Sequence, residues 1–340
     1  MVGQYNVAVV GATGAVGETM LEILAERSFP VATLIPLASA RSAGNQVLFN
    51  GESLTVQDLA GFDFSSVDLG LFSPGASVSA VFAPKAAEAG CVVIDNTSQF
   101  RYEADIPLVV PECNPHAVAD YTNQGIIANP NCSTIQLVVA LKPIHDEVGI
   151  ARINVCSYQA VSGSGRQAVA ALAGQAADLL NARPAAAGPY PKQIAFNVLP
   201  HIDAFQDNGY TREEMKILWE TRKILEDEEI QVNSTCVRVP VFYGHSEAVN
   251  VETKQKLTAP EAREILASAP GVVLVDERID GGYPTPVTEA AGVDSVFVGR
   301  IRDDISHPKA LNLWVVSDNV RKGAALNSVQ IAEILVESYI

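Results

Sequence analysis

The chain has 340 residues, 48% of them hydrophobic and 18% charged, a globular composition with length for two ordinary domains. A formal net charge of −16 leaves no broad basic face, so nucleic acid is excluded as the main partner and a small anion would need a locally basic pocket. The five cysteines (Cys91, Cys113, Cys132, Cys156 and Cys236) and five histidines lack C-x-x-C and H-x-x-x-H spacing, which argues against a disulfide framework or metal centre and for a reducing compartment.

The opening MVGQYNVAVVGATG has no basic region followed by a long apolar core, so no signal peptide is read. No apolar run approaches the roughly 18 residues of a membrane span. A soluble, cytoplasmic protein with no membrane partner is expected. YNVAVVG predicts a strand, and AVGETMLEILAERS a helix with Val16, Met20, Ile23 and Leu24 at helical spacing. Between them lies Gly11-x-x-Gly14-x-x-Gly17, a variant of the dinucleotide fingerprint. Glycines permit a tight turn and close backbone approach, and the helix end offers free N–H groups to a pyrophosphate. ATLIPLAS, DLGLFS, CVVIDNTS and GIIANP read as further strands, and VSAVFAPKAAEAG as a helix closed by Gly90. Strands alternating with helices predict a parallel sheet that binds ligands beyond its carboxyl ends. The second strand ends in LASARSAG, with no acid for a ribose 2′-hydroxyl. Ser39, Arg41 and Ser42 suit a 2′-phosphate instead, which favours NADP.

In NPNCSTIQLVVAL, Pro130 bars a helix from running backwards, so a helix starts near Cys132 with Asn131 as its cap. The dipole and free amides there favour a thiolate, the setting of a nucleophile. The other four cysteines lie in or beside apolar runs and read as core. From about Ala151 the pattern becomes more strictly alternating. RINVCSYQAVSG, STCVRVPVF and HSEAVNVETK read as antiparallel strands, with an Ala-rich helix, GRQAVAALAGQAADLLNA, among them. His245 is the best proton acceptor for a thiol, and an antiparallel hairpin would let Arg238 share its cleft. Thr211-x-x-Glu214 is a capping box opening a helix on which Glu213 and Lys216 are neighbours. KGAALNSVQIAEILVESY predicts an amphipathic helix that could return to the first domain.

The segments VGATGAVGE, LASARSAG, DNTSQFR, PLVVPECN, NPNCSTIQ, SYQAVSGSG, YTREEMK, VRVPVFYGHSEAV and SDNVRKGAALNSVQIAE together resemble the aspartate-β-semialdehyde dehydrogenase family over nearly the whole chain. Pro74 in FSPG and Ser164 in SGSG depart from the alanines expected there. The resemblance implies an α/β fold: a Rossmann-type NADP-binding domain (1–132, completed by about 320–340) and an α+β catalytic and dimerisation domain (133–319). It implies Cys132 as acyl-thioester nucleophile, His245 as acid/base and Gln159 as the orienting group. Arg238 would grip the substrate's α-carboxylate and Glu213 its ammonium group, while Arg101, Asn131 and Lys216 would hold phosphate. Thr13, Gly14, Ala15 and Val16 would contact the pyrophosphate, and Arg41 and Ser42 the 2′-phosphate. Ser162 and Gly163 would lie by the nicotinamide and Asn319 near the cofactor. The implied reaction is NADPH-dependent reduction of 4-phospho-L-aspartate to aspartate semialdehyde and phosphate, in lysine/diaminopimelate, threonine and methionine biosynthesis, by a homodimer or homotetramer. Two other readings share the architecture: an N-acetyl-glutamyl-phosphate reductase-like enzyme and a non-catalytic NADP-binding paralogue. A short-chain-type dehydrogenase is disfavoured, because no tyrosine has lysine four residues on.

Overall fold

In the computed structural model, which describes residues 3–340, the chain divides into two compact units. One runs up to Pro130 and takes back Ala324–Ile340; the other is Asn131–Gly323.

The first unit holds β1 (Tyr5–Val10), α1 (Ala15–Glu26), β2 (Val31–Ala38), β3 (Gln46–Phe49), β4 (Glu52–Thr55), β5 (Gln57–Asp58), β6 (Leu69–Phe72), α2 (Ala76–Glu88), β7 (Val92–Asp95) and β8 (Ile126–Ala128). Six strands form a wholly parallel sheet in the order β5-β2-β1-β6-β7-β8. Beyond β1 the connections run one way to β2 and the other way to β6, so the carboxyl end of β1 is a topological switch point. β3 and β4 make a separate antiparallel hairpin, which the sequence did not announce because its strands are short and largely exposed. The C-terminal helix, Leu326–Ser338, buries Leu326, Val329, Ile331 and Leu335 in the same core as Val7, Val9, Leu69 and Ile94.

The second unit holds α3 (Cys132–Val148), β9 (Ile150–Gln159), α4 (Arg166–Leu180), α5 (Arg212–Leu225), β10 (Gln231–Arg238), β11 (His245–Thr253), α6 (Ala259–Ala267), β12 (Val272–Leu274), β13 (Val296–Asp303) and β14 (Ala310–Ser317). Its sheet runs β10-β9-β11-β14-β13-β12. The expectation of antiparallel strands holds for β9 with β11, but β10 lies parallel to β9; beyond them β14 pairs antiparallel with β11 and β13, and β12 lies parallel to β13. No hairpin joins Arg238 to His245: β9 separates β10 from β11. The two residues come to one end of the sheet because Arg238 ends β10 and His245 begins β11. Alternation in a strand reports which face is covered and not the direction of the neighbour, which explains the difference. Residues Ser133 to Leu141 of α3 are all buried, as expected of a helix covered on every side.

Candidate active site

Two sets of predicted residues form, one in each unit. In the first, Gly11 has φ 89°, and a Cβ there would lie 2.7 Å from the Ser73 carbonyl oxygen. A Cβ at Gly17 would lie 2.2 Å from the Gly11 carbonyl oxygen, so both glycines are required for the turn to pack. Gly14 is the N-cap of α1 and brings no side chain to cap it, so the first N–H groups of α1, around Ala15 and Val16 and next to Thr13, are open to an external acceptor. The Gly11 and Ala12 amides donate to the Leu37 carbonyl at 2.8 and 3.1 Å, which ties this turn to the end of β2. There Ser39, Arg41 and Ser42 form a turn in which the Ser42 N–H donates to the Ser39 carbonyl at 2.8 Å, with Ser39 and Arg41 exposed. The cradle fits a pyrophosphate, and the open guanidinium beside it fits a further phosphate. Arg101, also in this unit, is buried; its guanidinium donates to the Asn96 carbonyl at 2.9 Å and stands near the Asp95 carboxylate.

In the second unit Cys132 opens α3. The Asn131 side chain caps the helix by accepting from the Ser133 N–H at 3.0 Å, while its own N–H donates to Glu220 at 2.6 Å and its amide to Glu213 at 3.0 Å. A Cβ at Gly323 would lie 2.8 Å from the Cys132 Cβ, so glycine leaves the room that the cysteine occupies. His245 is fully buried with Nε2 3.3 Å from Cys132 Sγ. Its Nδ1 accepts from the Ala160 N–H at 3.0 Å. That hydrogen bond assigns the tautomer: the imidazole hydrogen sits on Nε2 and faces the sulfur. Burial, followed by the nearby Arg238 charge, lowers the His245 pKa to about 3, so the ring is neutral at neutral pH.

Gln159 donates to Ser133 Oγ at 2.8 Å and to Glu213 at 3.2 Å. Glu213 also accepts from Lys216 Nζ at 2.9 Å, and Lys216 reaches Asp203 at 2.8 Å. Glu213 is buried, yet the Lys216 charge and three donors outweigh desolvation and hold its pKa down to about 2. The pair is therefore an interior network and not a solvated surface bridge. Arg238, only 5% exposed, donates to the Ala160 carbonyl at 2.8 Å. No carboxylate lies within ion-pair distance of it among the described residues, and its Nε has no partner. A Cβ at Gly163 would lie 3.1 Å from Arg238 and 3.4 Å from His245, so both crowd that glycine. Asn319 accepts from Ser162 Oγ at 3.0 Å and from the Gly244 N–H at 2.9 Å, which joins the loops after β9, before β11 and after β14.

Cys132, His245, Gln159, Asn131, Glu213, Lys216, Arg238, Ser162, Gly163 and Asn319 are thus linked within one unit, whereas Arg101 and the glycine-turn residues belong to the other. Asp203 and Glu220 escaped the sequence reading. Glu220 lies four residues after Lys216, on the same buried face of α5, and charged residues at that spacing on an otherwise apolar face were the available signal. Of the remaining cysteines, Cys91, Cys113 and Cys236 are buried, while Cys156 is only half-buried. Burial pushes Cys91 up to about 12, so it is inert at neutral pH. Among the described residues no helix is long and apolar enough to cross a membrane.

Residues 6–121 match the family model for the semialdehyde dehydrogenase NAD binding domain, and residues 141–322 match its dimerisation domain. The aspartate-semialdehyde dehydrogenase of Legionella pneumophila is 65% identical over 98% of this chain and 96% of its own. That of Shewanella violacea is 62% identical over 99% of each. Aspartate semialdehyde dehydrogenase II of Vibrio cholerae, solved in complex with ASA, superposes with a TM-score of 0.98 at 59% identity over 99% of this chain and 100% of that one. The Candida albicans enzyme solved with NADP gives 0.76 at 26% identity over 98% of each chain. By fold, by length and by these identities, the chain belongs to the aspartate-semialdehyde dehydrogenase family.

Proposed function

We propose that this chain is an NADP-dependent aspartate-semialdehyde dehydrogenase that works through a Cys132 thioester, in amino-acid biosynthesis. The observation that carries the reading is the Cys132–His245 pair, 3.3 Å apart, beside a buried Arg238 with no carboxylate partner. A buried, uncompensated guanidinium is costly unless an anion arrives, and a substrate α-carboxylate meets that need.

The Cys132 thiolate attacks the acyl carbon of 4-phospho-L-aspartate, phosphate leaves, and a thioester is held on the protein. A dinucleotide held by the Gly11–Gly17 turn, Arg41 and Ser42 would supply the hydride chemistry that the thioester needs. His245 contributes as a neutral donor: its Nε2–H stabilises the thiolate and then the alkoxide, and the alkoxide expels the sulfur to give the aldehyde. The acid/base role rests on Nε2, which faces the sulfur at 3.3 Å, while the Ala160 N–H on Nδ1 orients the ring. Gln159 and Asn131 keep Glu213 in place to receive the ammonium group. Lys216 offsets the Glu213 charge and, with Asn131, is assigned to phosphate.

Ser39, Arg41 and Ser42 in a turn without acids support NADP over NAD. The dimerisation domain supports a homodimer or a homotetramer. An N-acetylated substrate would leave Glu213 with no ammonium group to meet, so the free amino acid is favoured. The deciding assay is phosphate-dependent NADP reduction with aspartate semialdehyde. Wild type is expected to turn over and Cys132→Ser to lose about three orders of magnitude or more. Normal turnover by the serine variant would remove the covalent step, and inertness of wild type towards this aldehyde would remove the substrate assignment.

A further inference from the structure

Glu247 follows His245 by two residues on β11, so the two side chains share a face. It is fully buried, and neither carboxylate oxygen has a hydrogen-bond partner. Its cross-strand neighbours are Ser157 on β9 and Val315 on β14, and the thiol of Cys236 on β10 stands nearby. Among the described residues no basic side chain acts on it. Gln136 is the polar group beside it, buried and with neither amide atom bonded. Gln136 lies one helical turn after Cys132 on α3. One turn of helix and one step of strand behind Cys132 and His245 there is thus a second facing pair, Gln136 and Glu247.

We propose that Glu247 is a positioning residue, held as a neutral carboxylic acid, that pairs reciprocally with the Gln136 amide and so fixes where α3 presents Cys132 to His245. An isolated carboxylate in such a place is very costly and keeps its proton instead; burial pushes the Glu247 carboxyl well above the ordinary range. In the proposed pairing the acid O–H would donate to the Gln136 carbonyl oxygen and the Gln136 N–H to the acid carbonyl oxygen, filling the four atoms otherwise left unbonded. Two parallel bonds satisfy groups that would each carry a desolvation cost alone. Such bonds would tie α3 to β11 one turn behind the Cys132–His245 pair. A neutral acid adds no negative charge beside the thiolate, whereas an ionised one would oppose it. The inference rests on the proposed role of Cys132 and His245, but its tests do not need the substrate to be known.

The first test is the infrared difference spectrum of wild type minus Glu247→Gln at neutral pH. It should contain the carbonyl stretch of a protonated carboxylic acid, and absence of that band overturns the proposal. The second is the rate of Cys132 alkylation by iodoacetamide, alongside kcat and KM. Glu247→Leu and Gln136→Leu should each slow alkylation and kcat at least about tenfold with little change in KM, since small misplacement of reacting groups is costly. Their combination should be no worse than either alone, and Glu247→Gln, which keeps a donor and an acceptor, should rescue both rates to within about threefold. If Gln fails as Leu does, or if the two Leu effects simply multiply, the paired neutral acid is wrong. The band and the Glu247→Gln rates decide the matter even if a leucine variant does not fold.

Discussion

At residue scale the site is governed by where protons sit. The Ala160 N–H fixes the His245 hydrogen on Nε2, and burial keeps the ring neutral down to about 3. The ring signals of His245 followed by NMR are therefore expected to show no titration between roughly pH 5 and 8, where an ordinary histidine changes charge; a midpoint near 6.5 would contradict the tautomer and the burial together. Arg238 has the opposite problem, a fixed charge with no internal carboxylate. Arg238→Met should raise KM for the aldehyde by about 100-fold, the order expected for losing a charge-assisted pair, with a smaller change in kcat. A uniform loss in kcat alone would place Arg238 outside substrate binding. The same logic at the nucleotide predicts that Arg41→Ala weakens NADP by about tenfold and leaves NAD unchanged, as for removal of one phosphate contact; equal weakening of both would deny it the 2′-phosphate.

At the scale of elements, chemistry depends on how helices begin. α5 starts with a full capping box, Thr211 accepting from the Glu214 N–H while Glu214 accepts from the Thr211 N–H. That start sets the rotation of Glu213, Lys216 and Glu220. Thr211→Ala should cost about 1 kcal/mol in urea unfolding. α1 begins differently, with a bare glycine cap, and its turn has no spare volume. Gly17→Ala is expected to abolish dinucleotide binding and lower stability despite alanine's better helix propensity, because the added methyl group meets the Gly11 backbone at 2.2 Å. Calorimetric titration with NADP and a melting curve would check both effects.

For the whole molecule, acid should be the weak side. His245 is depressed from 6.5 to about 3, so the unfolded chain takes its proton first and stability is lost as pH falls from about 6.5 towards 3. Glu213, depressed from 4.5 to about 2, adds stability that is present above about 4.5 and lost towards 2. Glu247 acts with the opposite sign, since a carboxyl that stays protonated costs stability once pH rises above the ordinary carboxylate range. Denaturant unfolding across pH should show a flatter acid limb in Glu213→Gln than in wild type, specifically below about 4.5. An unchanged limb would mean that the Lys216 pair is not what holds Glu213 ionised. The first unit also depends on its distant segment, for the C-terminal helix fills the core against β1, β6 and β7. Removing residues 324–340 should prevent that unit from folding, as several buried side chains at roughly 1.5–3 kcal/mol each exceed the stability of a typical domain.

The local sequence determined the chemistry available to this protein and its helix starts. The glycine turn, the acid-free end of β2, the Asn131 cap before Cys132 and the Thr211 capping box all act within a few residues of themselves, so spacing alone made them legible. Strand neighbours were not legible. Alternation predicted β9, β10 and β11, but only the assembled sheet inserted β9 between the other two and so brought Arg238 and His245 to one end without a hairpin. Nor could composition reveal that Glu220 would anchor Asn131, that Asp203 would complete the Lys216 network, or that Glu247 would be sealed against Gln136. Burial and partnership across tens of residues are properties of the packed chain, and it is they that decide which carboxyl groups carry charge and which carry a proton.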